Sequence, residues 1–217
     1  MDIDKTAAKR SKVHTKYYLK NGTQVSGVTT ILGVLNKPAL VNWANALGLQ
    51  GIKVGAYVDA LAGIGNIAHS MILAHNKGIK FETYGYAPDL IDRAENSFLS
   101  YLAWEKNHKV EPILCEQPLV SERYGYGGTI DFYGLIDAQR KINDYKTGKA
   151  IYPEHIYQVA AYRQLLEENG YPVEGAGILQ IGRAEDEGFS ERSLADTSRE
   201  WQVFWHCLAL YKLKVGR

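Results

Sequence analysis

The 217-residue sequence predicts an α/β domain with a mixed central β-sheet flanked by helices. Three observations lead there. Helix-periodic segments fill much of the first half, three β-prone runs follow one another directly (111–121, 126–136 and 141–147), and the chain then alternates helix, strand, helix. That order calls for one sheet covered on both faces.

The elements follow in turn. KYYLKNGTQVSGVTT (16–30) alternates around Asn21-Gly22, a hairpin-turn signal. PALVNWANALG (38–48) reads as a short helix with proline near its start and glycine at its end. Residues 54–77 form a longer apolar-periodic helix whose Gly63 and Gly65 are poor helix formers, so another element is expected to approach closely there. A further helix spans 88–108, with Trp104 near its end. Gly125, Gly127 and Gly128 punctuate the connection between the first two strands. PEHIYQVAAYRQLLEENG (153–170) has proline at its start, Glu154 in its first turn and Gly170 at its stop. GAGILQIGR (175–183) reads as a buried strand, 184–191 as an acidic loop, and 197–213 as a last helix carrying Trp201 and Trp205.

Composition narrows the function classes. Hydrophobic residues make up 46% and charged residues 23%, as in ordinary soluble domains, and the net charge is +1. Any polyanion partner must therefore meet local positive charge. Cys115 and Cys207 are too few for a disulfide scaffold or a four-thiolate metal or iron–sulfur site, which suits a reducing cytoplasm. No apolar run reaches membrane-spanning length. Residues 1–16, with Lys5, Lys9, Arg10, Lys12 and Lys16, read as a flexible basic arm, either a solvated terminus or a phosphate contact, ahead of a single domain over 17–217.

The chemistry concentrates in IDFYGLIDAQRKINDYKTGK (130–149). With a turn centred between Asp137 and Ala138, Asp131 falls opposite Asp144, and Lys146 shares a face with Asp144. Opposed carboxylates destabilise a sheet unless one is protonated or a cation lies between them. Oxygens converging on one point suit Mg²⁺ or Mn²⁺, and a metal beside a lysine equips a site to hydrolyse a phosphodiester. On the hairpin alone, a solvated ion-pair cluster is equally open. Three features add to it: Gln158 and Tyr162 on one helix face, His69 on an apolar helix, and Glu116 on the preceding strand, which Pro118 marks as an edge.

GNIAH (65–69), GGTID (127–131), NDYKTGK (143–149) and QVAAY (158–162) resemble, in order, the motifs of the PD-(D/E)XK nuclease superfamily. The RecB-type exonuclease branch, including small stand-alone phage versions, is the most similar, over roughly residues 60–183. VSGVTTILGVLNKPALVNWA (25–44) also resembles the lead-in of phage and mitochondrial exonucleases. The resemblance implies a restriction-endonuclease-like core and a metal-dependent DNA exonuclease of recombination, repair or phage metabolism in the cytoplasm of a bacterium or an infected host. It implies Asp131 and Asp144 as metal ligands, Lys146 as catalytic lysine, His69 as an additional ligand, Glu116 as an acidic member, and Gln158 and Tyr162 as supports. An endonuclease on the same site and a non-catalytic DNA-binding module are the alternatives, the intact Asp131, Asp144 and Lys146 arguing against the second. No iron–sulfur cluster is expected, and no G-x-x-x-x-G-K-[ST] loop is present, so unwinding would fall to a partner such as a helicase, beside a recombinase or single-strand-binding protein. Lys149, Arg163 and Arg183 are candidate DNA contacts, and Tyr124, Tyr126 and Tyr152 candidate stacking platforms.

Overall fold

The computed structural model describes residues 15–35 and 37–216. Most of the basic arm therefore lies outside the described residues. The chain runs β1 (Tyr17–Tyr18), β2 (Gln24–Val25), α1 (Val28–Leu32), α2 (Pro38–Leu49), α3 (Val54–Asn76), α4 (Pro88–Glu105), β3 (Val110–Ser121), β4 (Tyr126–Ile136), β5 (Gln139–Lys146), α5 (Pro153–Glu168), β6 (Gly175–Ile181), β7 (Phe189–Leu194) and α6 (Ser198–Val215).

Strands β3 to β7 form one sheet in sequential order. The β5–β6 pair, bridged by α5, is parallel and the other three pairs are antiparallel. The sheet is mixed, and helices cover both faces. On one, α1, α5 and α6 bury Ile31, Val159, Leu165 and Phe204 against Ile130, Tyr133, Ile142 and Ile178. On the other, α3 and α4 bury Ile72, Tyr101 and Trp104 against Phe132, Tyr145 and Leu179. Strands packed on both faces read as apolar runs rather than as alternation, which explains the burial along β4 and β6.

The turn between β4 and β5 is a two-residue reversal in which Asp137 and Ala138 both have positive φ, 53° and 65°. That geometry matches the right-handed strand twist. It sets the register Ile136↔Gln139 through Phe132↔Asn143, the pairing expected from the sequence.

Four details differ from expectation. Asn21-Gly22 lies in a wider loop: the Gly22 N–H donates to the Leu19 carbonyl at 2.9 Å and Gly22 takes φ 82°. Val28–Leu32 is a helix rather than the end of the hairpin. Gly127 and Gly128 lie inside β4, where their missing side chains admit the rings of Tyr17 and Tyr162; only Gly125 is in the connecting turn. Residues 189–194 form an edge strand, β7, paired with β6 from Ala176↔Leu194 to Ile181↔Phe189. No helix among the described residues is long and apolar enough to cross a membrane.

Candidate active site

Past Phe132↔Asn143 the strands part, and the ends of β5 and β6 open toward the first turn of α5. Asp131 and Asp144 stand at this opening, next in register. Here the side chain takes over from the backbone ladder: the Tyr145 N–H donates to Asp131 Oδ2 at 2.9 Å. On the neighbouring edge strand, Cys115↔Phe132 and Gln117↔Ile130 flank Glu116, placing it level with Asp131. Glu116 has φ 49°, a left-handed conformation rare for a residue with a side chain. The alternation slips at this level in both strands. Leu114 and Leu119, like Ile130 and Tyr133, all pack toward α5, although each pair spans an odd number of residues. A strained residue at a slip in the pleat re-aims side chains, and here it brings a third carboxylate in.

Helix α3 supplies the imidazole. Gly65 lets the helix approach the strand end, where a Cβ at that position would lie 3.3 Å from Thr147 Oγ1. Gly63 makes only ordinary contact, 3.7 Å from Leu90. One turn beyond Gly65, the His69 Nε2–H donates to the Tyr145 carbonyl at 3.2 Å. Its Nδ1 faces Glu116 Oε1 at 3.0 Å and Asp131 Oδ1 at 3.7 Å. His69, Glu116 and Asp131 can bring three ligand atoms within 4.8 Å of one another. Asp144 stands outside that trio, against the Lys146 ammonium.

Electrostatics make the cluster unusual. Asp144 is 1% exposed, and apart from the Lys146 ammonium neither of its oxygens has a partner among the described residues. Burial pushes its pKa up to about 6, with Asp131 adding to the rise and Lys146 opposing it. Burial also raises Asp131, His69 opposing it and Glu116 adding to it. Burial works against charge on His69, but Asp131 and Glu116 outweigh it and push its pKa up to about 9. For Lys146, burial again opposes charge, and Asp144 and Asp131 more than offset it. Three carboxylates thus share one histidine and one lysine.

The donor set suits a divalent cation. Carboxylate oxygens and an imidazole nitrogen are ligands of Mg²⁺ or Mn²⁺-type ions. The unpartnered Oδ1 of Asp144 gains a partner on binding, and the Tyr145 carbonyl already fixes the outer nitrogen of His69, as such ligands require.

Gln158 Nε2 donates to the Tyr162 hydroxyl at 2.8 Å inside α5. A Cβ on Gly128 would lie 2.5 Å from the Tyr162 ring, so that glycine sets how near the ring lies to β4. Burial, then Asp144 and Asp131, push the Tyr162 phenol well above its ordinary pKa. Three residues at the site are not singled out by the sequence. The Tyr17 hydroxyl meets Thr129 Oγ1 at 2.9 Å, and Tyr145 supplies both backbone contacts described above. His155 Nδ1 accepts the Tyr152 N–H at 3.2 Å, leaving its ring proton on Nε2. Burial, then Lys146, lower His155 to about 4, so the ring is neutral near pH 7. Its spacing to Gln158 and Tyr162, one helical face, was the available signal.

The candidate DNA contacts divide. Lys149 is exposed in the loop after β5, and Tyr152 is 49% exposed at the start of α5; both border the opening. Arg183 follows β6 at the same end of the sheet. Arg163 does not reach it: its guanidinium is committed to Glu167 at 2.8 Å and to the Val173 carbonyl at 3.1 Å. Tyr126 is fully buried, its hydroxyl donating to the Ala161 carbonyl, and Tyr124 packs edge-on against Trp201. Neither is a free stacking platform.

No family model and no curated protein matches the chain. Among solved structures it is similar to a candidate exonuclease from Eubacterium rectale, at 12% identity and a TM-score of 0.45, over 71% of this chain and 66% of that one, just under two thirds of its length. It is also similar to the alkaline exonuclease of Laribacter hongkongensis, at 13% identity and a TM-score of 0.33, over 72% and 89% of the two chains. The complex of that enzyme with dAMP matches at 12% identity with the same TM-score, over 72% and 91%.

Proposed function

We propose that the chain is a divalent-metal-dependent nuclease that hydrolyses DNA phosphodiester bonds, acting from a strand end as an exonuclease. One observation carries the proposal: a buried carboxylate, Asp144, has the Lys146 ammonium as its one partner among the described residues and lies next to the His69–Glu116–Asp131 trio. Four side chains would hold the cation: His69, Glu116, Asp131 and Asp144. Such an ion supplies charge neutralisation at the phosphate and acidifies a water molecule.

The protein's own groups do the rest. Asp144 and Asp131 keep the Lys146 ammonium charged, so it can donate to a phosphate oxygen as negative charge develops there. The N-terminal end of α5 turns the positive end of its dipole toward the same phosphate. Tyr162, held by Gln158, stands behind Asp131 and Asp144 as a neutral support. Release of nucleotides from an end is supported by the RecB-type motif order, and recombination, repair or phage DNA metabolism is the setting it implies, with a helicase, recombinase or single-strand-binding protein as partners.

The test is cleavage of end-labelled linear DNA, single- and double-stranded, beside closed circular DNA, in Mn²⁺, Mg²⁺ and EDTA. Metal-dependent loss of linear DNA that spares circles and disappears in Lys146→Ala is the expected result. Cut circles would make the enzyme an endonuclease, and DNA binding without cleavage in any metal would sink the proposal.

A further inference from the structure

The charge of the chain is segregated along its length. From Lys5 to Val58 there is no aspartate or glutamate, against eight lysines and arginines. Residues 59–217 hold 17 basic and 22 acidic residues. A net charge of +1 conceals a cationic first quarter and an anionic remainder.

The described end of that acid-free stretch is α2 and the start of α3. Helix α2 carries no charged residue and buries none of its twelve. Its apolar side chains face solvent, Leu40 at 51% exposed, Val41 at 67% and Leu49 at 82%. Trp43 is also exposed and leans on the exposed Tyr57 of α3, ring centroids 6.0 Å apart. An exposed apolar surface of this kind marks a docking site. It is joined to the candidate active site: Lys37, just before α2, pairs with Glu154 in the first turn of α5 at 2.7 Å. In the same turn, His155 feels the charges of Lys146 and Asp144.

What binds there must be apolar and also tolerate, or seek, positive charge. A second copy of the chain would bring the same lysines to an interface whose central helix, α2, offers no acid to meet them. Duplex DNA offers phosphates but keeps its base faces stacked. Unpaired DNA offers both, an anionic backbone and free base faces that pack on aromatic and aliphatic side chains.

We infer that α2 and the start of α3 form a docking surface for single-stranded DNA, with Trp43 and Tyr57 as base-stacking platforms and the exposed Lys53, at the start of α3, drawing in the phosphates. The inference rests on the nuclease reading and specifies its substrate as an unpaired strand leading to the site across this helix.

The test is fluorescence anisotropy of a labelled 20-nucleotide single strand, and of the same sequence closed into a duplex hairpin, in EDTA so that nothing is cut. Full-length wild type is compared with Trp43→Ala/Tyr57→Ala and with Val41→Glu, their fold checked by circular dichroism. The double variant should bind the single strand at least tenfold more weakly, since each stacked base contributes roughly 1–3 kcal/mol, while duplex binding changes less than twofold. Val41→Glu should weaken single-strand binding and make its loss with salt shallower, because the added carboxylate repels phosphates and salt screens that repulsion. Equal weakening for both substrates, or none, overturns the inference. So does sedimentation showing that α2 joins two copies and that Val41→Glu separates them. If wild type binds and cuts DNA while the α2 variants match it, only this inference fails. If wild type neither binds nor cuts, the nuclease reading falls first.

Discussion

The β4–β5 hairpin carries acid–base clusters at both ends, and they are opposites. At the turn, Asp137 accepts from the Lys109 N–H at 2.9 Å and meets His108 Nδ1 at 2.7 Å. The cluster is exposed, each oxygen has a partner, and these bonds, His108 first, hold Asp137 below the ordinary carboxylate range. At the open end, Asp131 and Asp144 are raised by burial, and Asp144 lacks hydrogen-bond partners beyond Lys146. The same residue types make a satisfied clasp at one end and a charge-frustrated pocket at the other. The first lowers the energy of the fold. The second costs the fold stability and is what a cation would relieve.

Neutralising each end breaks the comparison most directly. Asp144→Asn should reduce cleavage by roughly 10²–10³-fold, the loss typical when a group acting on developing charge is removed. Asp137→Asn should leave it unchanged, because asparagine is also at home at positive φ in such a turn. A steady-state assay on linear DNA checks both, and comparable losses at the two ends would show that the open end has no special role.

Metal binding sharpens the contrast. Mn²⁺ at a hundredfold excess over its dissociation constant should stabilise wild type by about 2.7 kcal/mol, roughly 5–10 °C in a thermal melt of a chain this size. Asp131→Asn should abolish the shift and Asp137→Asn keep it. The shift should also grow between pH 6.5 and 9, because His69, raised to about 9, must give up its proton before Nδ1 can ligate. A pH-independent shift would place the ion elsewhere.

Gly128→Ala comes next. Its Cβ would lie 2.5 Å from the Tyr162 ring and 3.1 Å from Leu165 Cδ1, in a packed interior. Overpacking of this kind costs about 1–3 kcal/mol, which calorimetry would record as a lower Tm, and it should displace Tyr162 from the site as well.

How far the sequence discloses the molecule varies in the same way. The hairpin register was legible because a two-residue turn and a period of two leave one solution, and with it the proximity of Asp131, Asp144 and Lys146. Strand β7 was not legible: FSERSL is polar and mostly exposed, and it is a strand because β6 offers it a row of hydrogen-bonding partners. VTTIL has the β-branched residues of a strand, yet forms α1 because Val28, Ile31 and Leu32 are buried there against α5 and α6. The positive φ of Glu116 leaves no mark in the sequence, since nothing local favours it. Arg163 reads in the sequence as a free cation, but one helical turn places it against Glu167. What depends on local period is readable, whereas what depends on a distant partner is not.

The two ends should also fail at opposite ends of the pH scale, and this is the smallest effect. A carboxyl held low in the folded state contributes stability above the ordinary carboxylate range and loses it as pH falls through its folded value. Asp137→Asn should therefore melt slightly below wild type at pH 7, and the gap should close in acid, where wild type has lost the same contribution. A histidine held high behaves inversely. In the metal-free protein the contribution of His69 is complete below about pH 6.5 and disappears as pH rises through about 9. Asp144 acts in the same direction: raised to about 6, it adds its burial cost as pH climbs from about 4 to 6. A His69→Gln variant should thus lie closest to metal-free wild type above pH 9, while Asp137→Asn lies closest in acid. Melting curves from pH 4 to 10 in EDTA would read both gaps. If they closed on the same side, the two clusters would share one electrostatic environment, and the open end would be a second clasp rather than a pocket awaiting charge.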